Sequence, residues 1–174
     1  AVACRVGRAV SVPARRGAVA GGEYSDAGGD TDKAEIYDPV ANTWTSIGNP
    51  GWGQVGDAAA TLLADGRLLV GYLSDGRTAI YDPVANTWTA MASAPLDIGD
   101  TGSASLPDGR ILDSTRFGNQ IQIYDPTTNA WSMGQSMPLR IGDENAWASL
   151  QNGGILAVGF NGDGAAIYNP ATKT

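Results

Sequence analysis

The sequence predicts an all-β fold built from four similar units. Its first indication is an internal repeat, because the segment YDPVANTW begins at Tyr37 and recurs unchanged at Tyr81. The second indication is a supply of turn-forming residues, with 24 Gly and 9 Pro scattered between short apolar runs. No stretch of useful length has the periodicity of an amphipathic helix. We therefore expect short strands joined by tight turns throughout.

The repeat covers nearly the whole chain. The same segment returns as YDPTTNAW at Tyr124 and as YNPATKT at Tyr168, so the four copies are spaced 44, 43 and 44 residues apart. A Gly-Asp pair and an apolar stretch around Asp-Gly or Asn-Gly keep the same register. These elements predict a single domain over residues 1–174, with repeats at approximately 7–50, 56–94, 99–137 and 142–174.

Each repeat is interpreted as four strands, which the second repeat shows most clearly. The first strand is predicted at Ala58–Leu63 and the second at Leu68–Leu73, while the third ends at Tyr81 and Trp88 opens the fourth. The D-P-x-x-N segment predicts a turn, because Pro fixes φ while Asp and Asn bond their own backbone. Tight hairpins with positive φ angles are predicted at Asp65-Gly66, Asp108-Gly109 and Asn152-Gly153.

Four-stranded units of this length repeated around an axis are typical of the blades of a β-propeller. The sequence also resembles the kelch family, in which an apolar strand ends in a Gly pair and is followed by a Tyr and then a Trp. Repeat one matches that pattern at Val19-Ala20-Gly21-Gly22, Tyr37 and Trp44, whereas later repeats keep the Tyr and lose the Gly pair. The resemblance implies a β-propeller of four kelch-type four-stranded blades, similar to the central domain of galactose oxidase.

The fourth repeat stops before its Trp, so its last strand is expected elsewhere. One alternative is the N-terminal segment, in which Val2, Cys4 and Val6 alternate as in a strand. We favour the other alternative, a small or partial propeller that belongs to a larger ring or assembles with a partner. Kelch rings usually have more than four blades, and an unclosed edge invites pairing. A homodimer through an open blade edge is therefore a further prediction.

Composition excludes several classes of function. The net charge of −7 argues against nucleic acid and against anionic membrane surfaces. No span is long and apolar enough for a transmembrane helix, so we expect a soluble chain. The compartment stays open, with an extracellular or periplasmic location as the favoured alternative. The chain has no His, which removes His-based acid–base chemistry, Ser-His and Cys-His pairs and His-ligated metals. The copper chemistry known in galactose oxidase is rejected for the same reason.

The Gly-Asp pairs give the first candidate site. Asp57, Asp100 and Asp143 would begin the innermost strands and surround the mouth of a central channel. One interpretation is a carboxylate ring for a cation or a sugar. The favoured interpretation is architectural, with each Asp capping neighbouring backbone N–H groups, because repeated positions in repeat proteins usually serve the fold.

Residues that differ between repeats are the other candidates, since binding residues tend to lie on varied loops over a rigid scaffold. Arg140, Glu144, Asn145 and Trp147 cluster around the third Gly-Asp pair, and Trp52 lies in a Gly-rich connection. An exposed Trp suits sugar stacking or protein contacts, whereas a buried one would pack between blades. The acidic segment Glu23–Lys33 is expected to be a solvated loop, with calcium binding as the alternative.

Three functions remain open. The first is a non-catalytic recognition scaffold that binds a protein or a glycan through its loop face. The second is a carbohydrate-active hydrolase or lyase that uses Asp143, Glu144 and Arg140. The third is a partial propeller that needs self-assembly to function. We favour the first, because it requires only varied loops on a repeated scaffold and no cofactor.

Overall fold

The computed structural model describes residues 6–12, 16–23, 29–138, 140, 143–159 and 164–173, without the side chains of 6–12. Within these ranges the regular elements are all β-strands, arranged in four antiparallel sheets. The prediction of an all-β fold is therefore confirmed. A search of the described residues for a helix of the length and apolarity needed to cross a membrane finds none.

Each sheet comes from one contiguous stretch of chain, and its strands pair in chain order. The first sheet contains β1 (Val6–Val12), β2 (Arg16–Glu23), β3 (Ala34–Asp38) and β4 (Thr43–Ile47). The second contains β5 (Ala60–Leu62), β6 (Leu68–Tyr72), β7 (Asp75–Asp82) and β8 (Thr87–Met91). The third contains β9 (Ser103–Ser105), β10 (Ile111–Ser114), β11 (Ile121–Asp125) and β12 (Ala130–Met133). The fourth contains β13 (Ala146–Ser149), β14 (Ile155–Val158) and β15 (Ala165–Tyr168).

The hairpin between the first two strands of a repeat differs from the predicted one. Gly66 has a φ of 87°, but Asp65 is not among the residues with positive φ. The Gly66 N–H donates to the Leu63 carbonyl at 2.9 Å, and the Leu63 N–H donates to the Arg67 carbonyl at 2.8 Å. These bonds define a three-residue loop, a type I turn followed by a left-handed glycine. Only the glycine needs positive φ in this loop, which corrects the expectation for both residues.

The D-P-x-x-N turn forms as predicted from its side chains. In the second repeat the Asp82 carboxylate accepts the N–H groups of Val84 and Ala85 at 2.8 and 3.1 Å. Asn86 closes the turn with a φ of 55°, and its side-chain oxygen accepts the Tyr81 hydroxyl at 2.9 Å. The turn places Trp88 directly opposite Tyr81, with ring centroids 5.1 Å apart. Hydrogen bonds within the repeated motif thus suffice to form the turn that pairs the third and fourth strands.

The core lies between neighbouring sheets. The first strands are side by side, β1 beside β5, β5 beside β9 and β9 beside β13. One buried apolar cluster packs the second sheet against the first, another packs it against the third, and a third cluster lies between the third and fourth sheets. Tyr81 and Tyr124 are among the largest fully buried side chains. These repeat residues are therefore packing residues.

The N-terminal segment belongs to the first sheet as far as it is described. Val6 begins β1 and pairs with Glu23 of β2, which contradicts the alternative that Val6 completes the fourth sheet. Val2 and Cys4 lie outside the described residues.

The Gly pair of repeat one lies where the first two sheets come close together. A Cβ on Gly21 would lie 2.4 Å from the Gly56 carbonyl oxygen. Glycine permits this close approach of the first two sheets.

Candidate binding site at the loop end of the sheets

The two ends of the sheets differ in what connects the strands. One end, here called the turn end, carries the three-residue hairpins and the D-P-x-x-N turns. The other, the loop end, carries the loops between second and third strands and the connections from sheet to sheet. Backbone hydrogen bonds join these loop-end segments, for example from Leu73 N–H to the Val55 carbonyl and from Arg116 N–H to the Asp97 carbonyl. The described loop-end segments are therefore joined to one another, and their sequences vary between repeats.

Backbone hydrogen bonds connect the sheets where their first strands begin. The Asp100 N–H donates to the Asp57 carbonyl at 3.0 Å, and the Glu144 N–H donates to the Asp100 carbonyl at 2.7 Å. Asp100 and Glu144 both have a φ of 52° and so occupy the same structural position. Glu144, rather than its neighbour Asp143, is therefore the counterpart of Asp100 in the fourth sheet.

Carboxylates converge at this point. One oxygen from each of Glu23, Asp57 and Glu144 lies within 4.8 Å of the others, so carboxylates of the first, second and fourth sheets meet. Desolvation raises the pKa of Glu23, and the charges of Asp57 and Glu144 raise it further. The three carboxylates repel one another when they are ionised. Binding of a ligand that supplies positive charge or hydrogen-bond donors would reduce this repulsion. These three oxygen donors are also the described residues best placed to hold a hard cation.

Arg116 brings the only described cation paired with this group of acids. Its guanidinium forms an ion pair of 2.5 Å with Asp100, whose side chain is 14% exposed. Burial raises the pKa of Asp100, Arg116 opposes that shift, and the charges of Asp57, Glu144 and Asp143 add to it. The guanidinium also lies 5.5 Å from the ring of Phe117, which is 65% exposed. The third sheet thus adds a mixed-charge pair and an accessible aromatic ring to the cluster.

Trp52 lies on the same end, between the first two sheets. It is half-buried against the apolar cluster that joins these sheets, and its ring meets Tyr72 edge-on at 5.6 Å. Arg77 lies 3.9 Å above the Tyr72 ring and 5.7 Å from that of Trp52. These contacts place Trp52 mainly in packing, with its remaining surface beside a guanidinium.

Asn145 and Trp147 join the third and fourth sheets. Asn145 is 2% exposed, and its side-chain oxygen accepts the N–H of Gly102 at 2.7 Å and the indole N–H of Trp147 at 2.6 Å. Its amide nitrogen donates to Ser114 at 3.1 Å. Trp147 is half-buried against the apolar cluster between these sheets. Both residues therefore act in the described contacts as structural links.

The remaining candidates are less closely involved. Arg140 is exposed and Asp143 is half-buried, and no described contact joins the two. In the acidic segment, Asp32 accepts the Asn49 side chain at 2.8 Å, while residues 24–28 lie outside the described ranges. Glu23, the first residue of the segment, is instead part of the carboxylate cluster with Asp57 and Glu144.

Sequence reasoning missed Glu23, Arg116 and Phe117 as members of the site. Glu23 ends the second strand of its sheet, whereas the Gly-Asp pairs lie just before the first strands. The spacing of the Gly-Asp pairs therefore does not point to Glu23. Arg116 and Phe117 lie in the loop between β10 and β11, which has no equivalent sequence in the other repeats. The different sequence of this loop is the one signal that could have singled it out. That signal does not indicate that Arg116 pairs with Asp100.

The turn end offers a contrast, because its charges are satisfied within each repeat. Asp65 and Asp108 pair with Arg67 and Arg110 two residues later, at 2.7 and 2.6 Å. Hydrogen bonds from these arginines lower the pKa of both carboxyls. Backbone N–H groups likewise lower the pKa of Asp38 and Asp125. The carboxyls whose pKa is raised, Glu23 and Asp100, both lie at the loop end.

Comparison with known proteins indicates a fold and no family. No family model matches the chain, and no curated protein matches it. Among solved structures, the chain is similar to a fungal alcohol oxidase of the AA5 family, determined in complex with copper. The TM-score is 0.58 at 18% sequence identity, and the match covers 92% of this chain but only 40% of the oxidase. The match shows a similar arrangement of β-sheets, and the kelch resemblance is compatible with it.

Proposed function

We propose that the chain is a non-catalytic recognition scaffold of the propeller type, with its four sheets as blades, which binds a glycan at the loop end. The observation that carries this proposal is the convergence of Glu23, Asp57, Asp100 and Glu144, one from each sheet, beside Arg116. A rigid scaffold with varied loops at one end is the usual setting for a binding site. Among the described residues, the turn end offers no comparable group.

The chemistry of the cluster favours a ligand rich in hydroxyl groups. Carboxylates accept hydrogen bonds from hydroxyls, and a guanidinium donates to them, so both kinds of side chain present here suit a sugar. Phe117 adds an exposed aromatic ring within reach of Arg116. Aromatic rings offer the apolar faces of a sugar a flat partner. A protein ligand that presents a lysine is the alternative outcome, since it would satisfy the acids but make little use of Arg116.

Catalysis is the less favoured function. The hydrolase hypothesis needs Arg140 to act with Asp143 and Glu144, and no contact described for these residues joins Arg140 to either acid. The copper chemistry of the AA5 neighbour is also not proposed for this chain. Imidazole is a principal copper ligand, and the sequence contains no His.

Calcium binding stays a prediction, now assigned to different residues. The original candidate was the acidic segment 23–33, whereas the three oxygens within 4.8 Å come from Glu23, Asp57 and Glu144. Calorimetric titration with calcium chloride tests this, with Glu23→Gln as the variant and Asp65→Asn at the turn end as the control. Heat released by the native chain and by the control, but not by Glu23→Gln, would support a calcium site at the cluster.

Glycan binding is tested by affinity electrophoresis through gels that contain neutral polysaccharides, one per gel. We expect one of them to retard the native chain and the Asp65→Asn control equally. Asp57→Asn and Phe117→Ala should migrate as if the polysaccharide were absent. If no neutral polysaccharide retards the native chain, the proposal is wrong. Release of reducing ends that is lost in Glu144→Gln would instead support the hydrolase.

A further inference from the structure

Three side chains at the loop end form a group outside the carboxylate cluster. Tyr72 ends β6, Arg77 lies in β7, and Trp52 lies in the connection from the first sheet to the second. The central carbon of the Arg77 guanidinium lies 3.9 Å from the centroid of the Tyr72 ring and 5.7 Å from that of Trp52. A guanidinium held against two aromatic rings loses freedom to move, so the position of its N–H groups is defined.

Asp75 also restrains the Arg77 side chain. Its carboxylate accepts hydrogen bonds from Arg77 Nε at 3.1 and 2.9 Å and from the Arg77 backbone N–H at 2.8 Å. Both side-chain bonds use Nε, and the terminal nitrogens Nη1 and Nη2 have no hydrogen-bond partner among the described residues. The Arg77 side chain is 42% exposed. The terminal nitrogens are therefore accessible to a ligand, on a side chain whose position is already set.

Trp52 and Tyr72 also carry donors that lack a described partner. Three other indole N–H groups of the chain donate to oxygens of neighbouring residues, whereas the described residues offer no acceptor to the Trp52 indole or the Tyr72 hydroxyl. Within the described part of the chain, Arg116 Nε is the one buried side-chain polar atom without a partner. The donors of Trp52, Tyr72 and Arg77 therefore reach the surface. Together they present several N–H and O–H groups to a ligand.

The tripeptide Asp-Gly-Arg also occurs twice at the turn end, which allows a direct comparison. In Asp65-Gly66-Arg67 and Asp108-Gly109-Arg110 the terminal nitrogen Nη2 lies 2.7 and 2.6 Å from the aspartate, so the carboxylate engages that nitrogen. Neither of these arginines has a cation–π contact with a described aromatic ring. In Asp75-Gly76-Arg77 the carboxylate bonds Nε, and the guanidinium lies against two rings. Arg77 is therefore held differently from its sequence equivalents.

We propose that Trp52, Tyr72 and Arg77 form a second binding site, which takes a sugar acid through its carboxylate. A guanidinium donates paired N–H groups in the geometry that a carboxylate accepts, and the charges strengthen both bonds. The indole N–H and the tyrosine hydroxyl are further donors, which the ring and hydroxyl oxygens of the same sugar accept. A carboxylate on a peptide side chain brings only its own two oxygens and leaves these donors unused. The donor set therefore favours a sugar acid over a peptide.

The test is a titration of the full 174-residue chain with sodium D-glucuronate at neutral pH, followed by the NMR signal of the Trp52 indole N–H. The absence of this signal from Trp52→Phe identifies it. Glucuronate should shift it saturably, and D-glucose should bind about ten-fold or more weakly, because it lacks the carboxylate. Sodium acetate should also bind more weakly, because it lacks the hydroxyls. No saturable shift with glucuronate would overturn the proposal, and equal binding of acetate would overturn the sugar acid as its ligand.

A matched pair of variants tests the placement. Arg77→Lys keeps the charge and loses the paired donors, so glucuronate should bind about ten-fold or more weakly. Arg67→Lys makes the same change in the same tripeptide at the turn end and should leave the affinity unchanged. Equal affinities of the two variants would overturn the placement at Arg77. The comparison of ligands uses the native chain, so it decides the proposal even if Arg77→Lys does not fold. Because the site does not use the carboxylate cluster, it and the proposed function succeed or fail separately.

Discussion

The indole nitrogen of Trp131 donates a hydrogen bond of 2.9 Å to the carbonyl oxygen of Ala92, which belongs to the preceding sheet. The N–H of the same Ala92 donates to the side chain of Asn129, also at 2.9 Å. Two residues of one repeat motif thus bind both backbone polar groups of a single residue in the neighbouring repeat. The motif of the third repeat therefore also links its sheet to the second sheet.

Replacing Trp131 with Phe tests this link, because Phe keeps an aromatic ring and loses the donor. We expect the free energy of unfolding to fall by about 1–3 kcal/mol, since the Ala92 carbonyl loses one of its two donors, keeping only the Thr78 hydroxyl at 2.9 Å, and the smaller ring fills less space. Urea denaturation followed by circular dichroism measures the change. Trp44→Phe is the matched control, because Trp44 has no acceptor among the described residues and is 48% exposed. Equal losses in the two variants would contradict the prediction.

Asn145 should be one of the most sensitive polar positions. Its replacement by Ala removes the acceptor of two N–H groups, the buried one of Gly102 and the partly buried one of the Trp147 indole. Each unsatisfied buried donor costs about 1–3 kcal/mol, so the loss should exceed that of a typical surface substitution. Asn152→Ala is the control, because Asn152 is exposed and accepts a single N–H, that of Gly154, at 3.0 Å. Similar urea midpoints for the two variants would show that Asn145 is not a structural link.

Most of the fold could be predicted because its information is local. The Tyr, the D-P-x-x-N turn and the Trp lie within eight residues, and hydrogen bonds inside that segment fix its conformation. The second strand of repeat two was predicted at Leu68–Leu73 and lies at Leu68–Tyr72. The first strand was predicted at Ala58–Leu63 and is shorter, Ala60–Leu62, because Ala58 forms an isolated bridge to Gly99 of the next repeat. Contacts between repeats, which the sequence of one repeat does not show, thus limited how accurately the strand bounds could be predicted.

The candidate site was harder to predict because it depends on such contacts. Periodicity pointed to Asp143, but the chain gains one residue before β13, and Glu144 takes the position that Asp100 has in the third repeat. Glu23 reaches the cluster from the end of a second strand, and Arg116 reaches Asp100 from a loop of its own repeat. Neither position repeats in the sequence, so only the assembled sheets bring these side chains together.

Glu23→Gln should make the chain more stable than the native chain near neutral pH, because the carboxylate cluster destabilises an ionised Glu23. Desolvation and neighbouring carboxylates raise the pKa of Glu23 above its ordinary value of 4.5. The folded chain therefore binds the proton more tightly than the unfolded chain, and stability is lost as pH rises through the raised pKa. Near neutral pH the Gln variant should melt at a higher temperature than the native chain. The difference should shrink as pH falls and disappear below the ordinary value.

Asp38→Asn provides the control with the opposite sign. Backbone N–H groups of Ala41 and Val40 lower the pKa of Asp38, so its contribution is present above the ordinary value of 3.8 and is lost in acid. This variant should be less stable than the native chain near neutral pH and equal to it in strong acid. Melting curves of both variants across this range measure the two trends. Parallel trends would show that the cluster is not a group of repelling charges.

Two glycines test how closely the connections approach the sheets. A Cβ on Gly76, in β7, would lie 2.1 Å from the carbonyl oxygen of Ala94, which belongs to the connection that leaves the same sheet. The Ala94 N–H donates to the Gly76 carbonyl at 2.7 Å, so the connection cannot withdraw without losing this bond. Gly76→Ala should therefore lower the free energy of unfolding by about 2 kcal/mol or more, as overpacking does.

Gly17→Ala is the matched substitution, because Gly17 also lies in a strand and a Cβ there would meet no atom within 4 Å. Neither glycine has positive φ, so the two variants differ in steric contact and not in backbone strain. We expect Gly17→Ala to be neutral or to stabilise the chain by less than about 1 kcal/mol, because Ala restricts the unfolded chain more than Gly does. Urea denaturation of both variants measures the difference. Equal stability would mean that the connection between the second and third sheets does not press against β7.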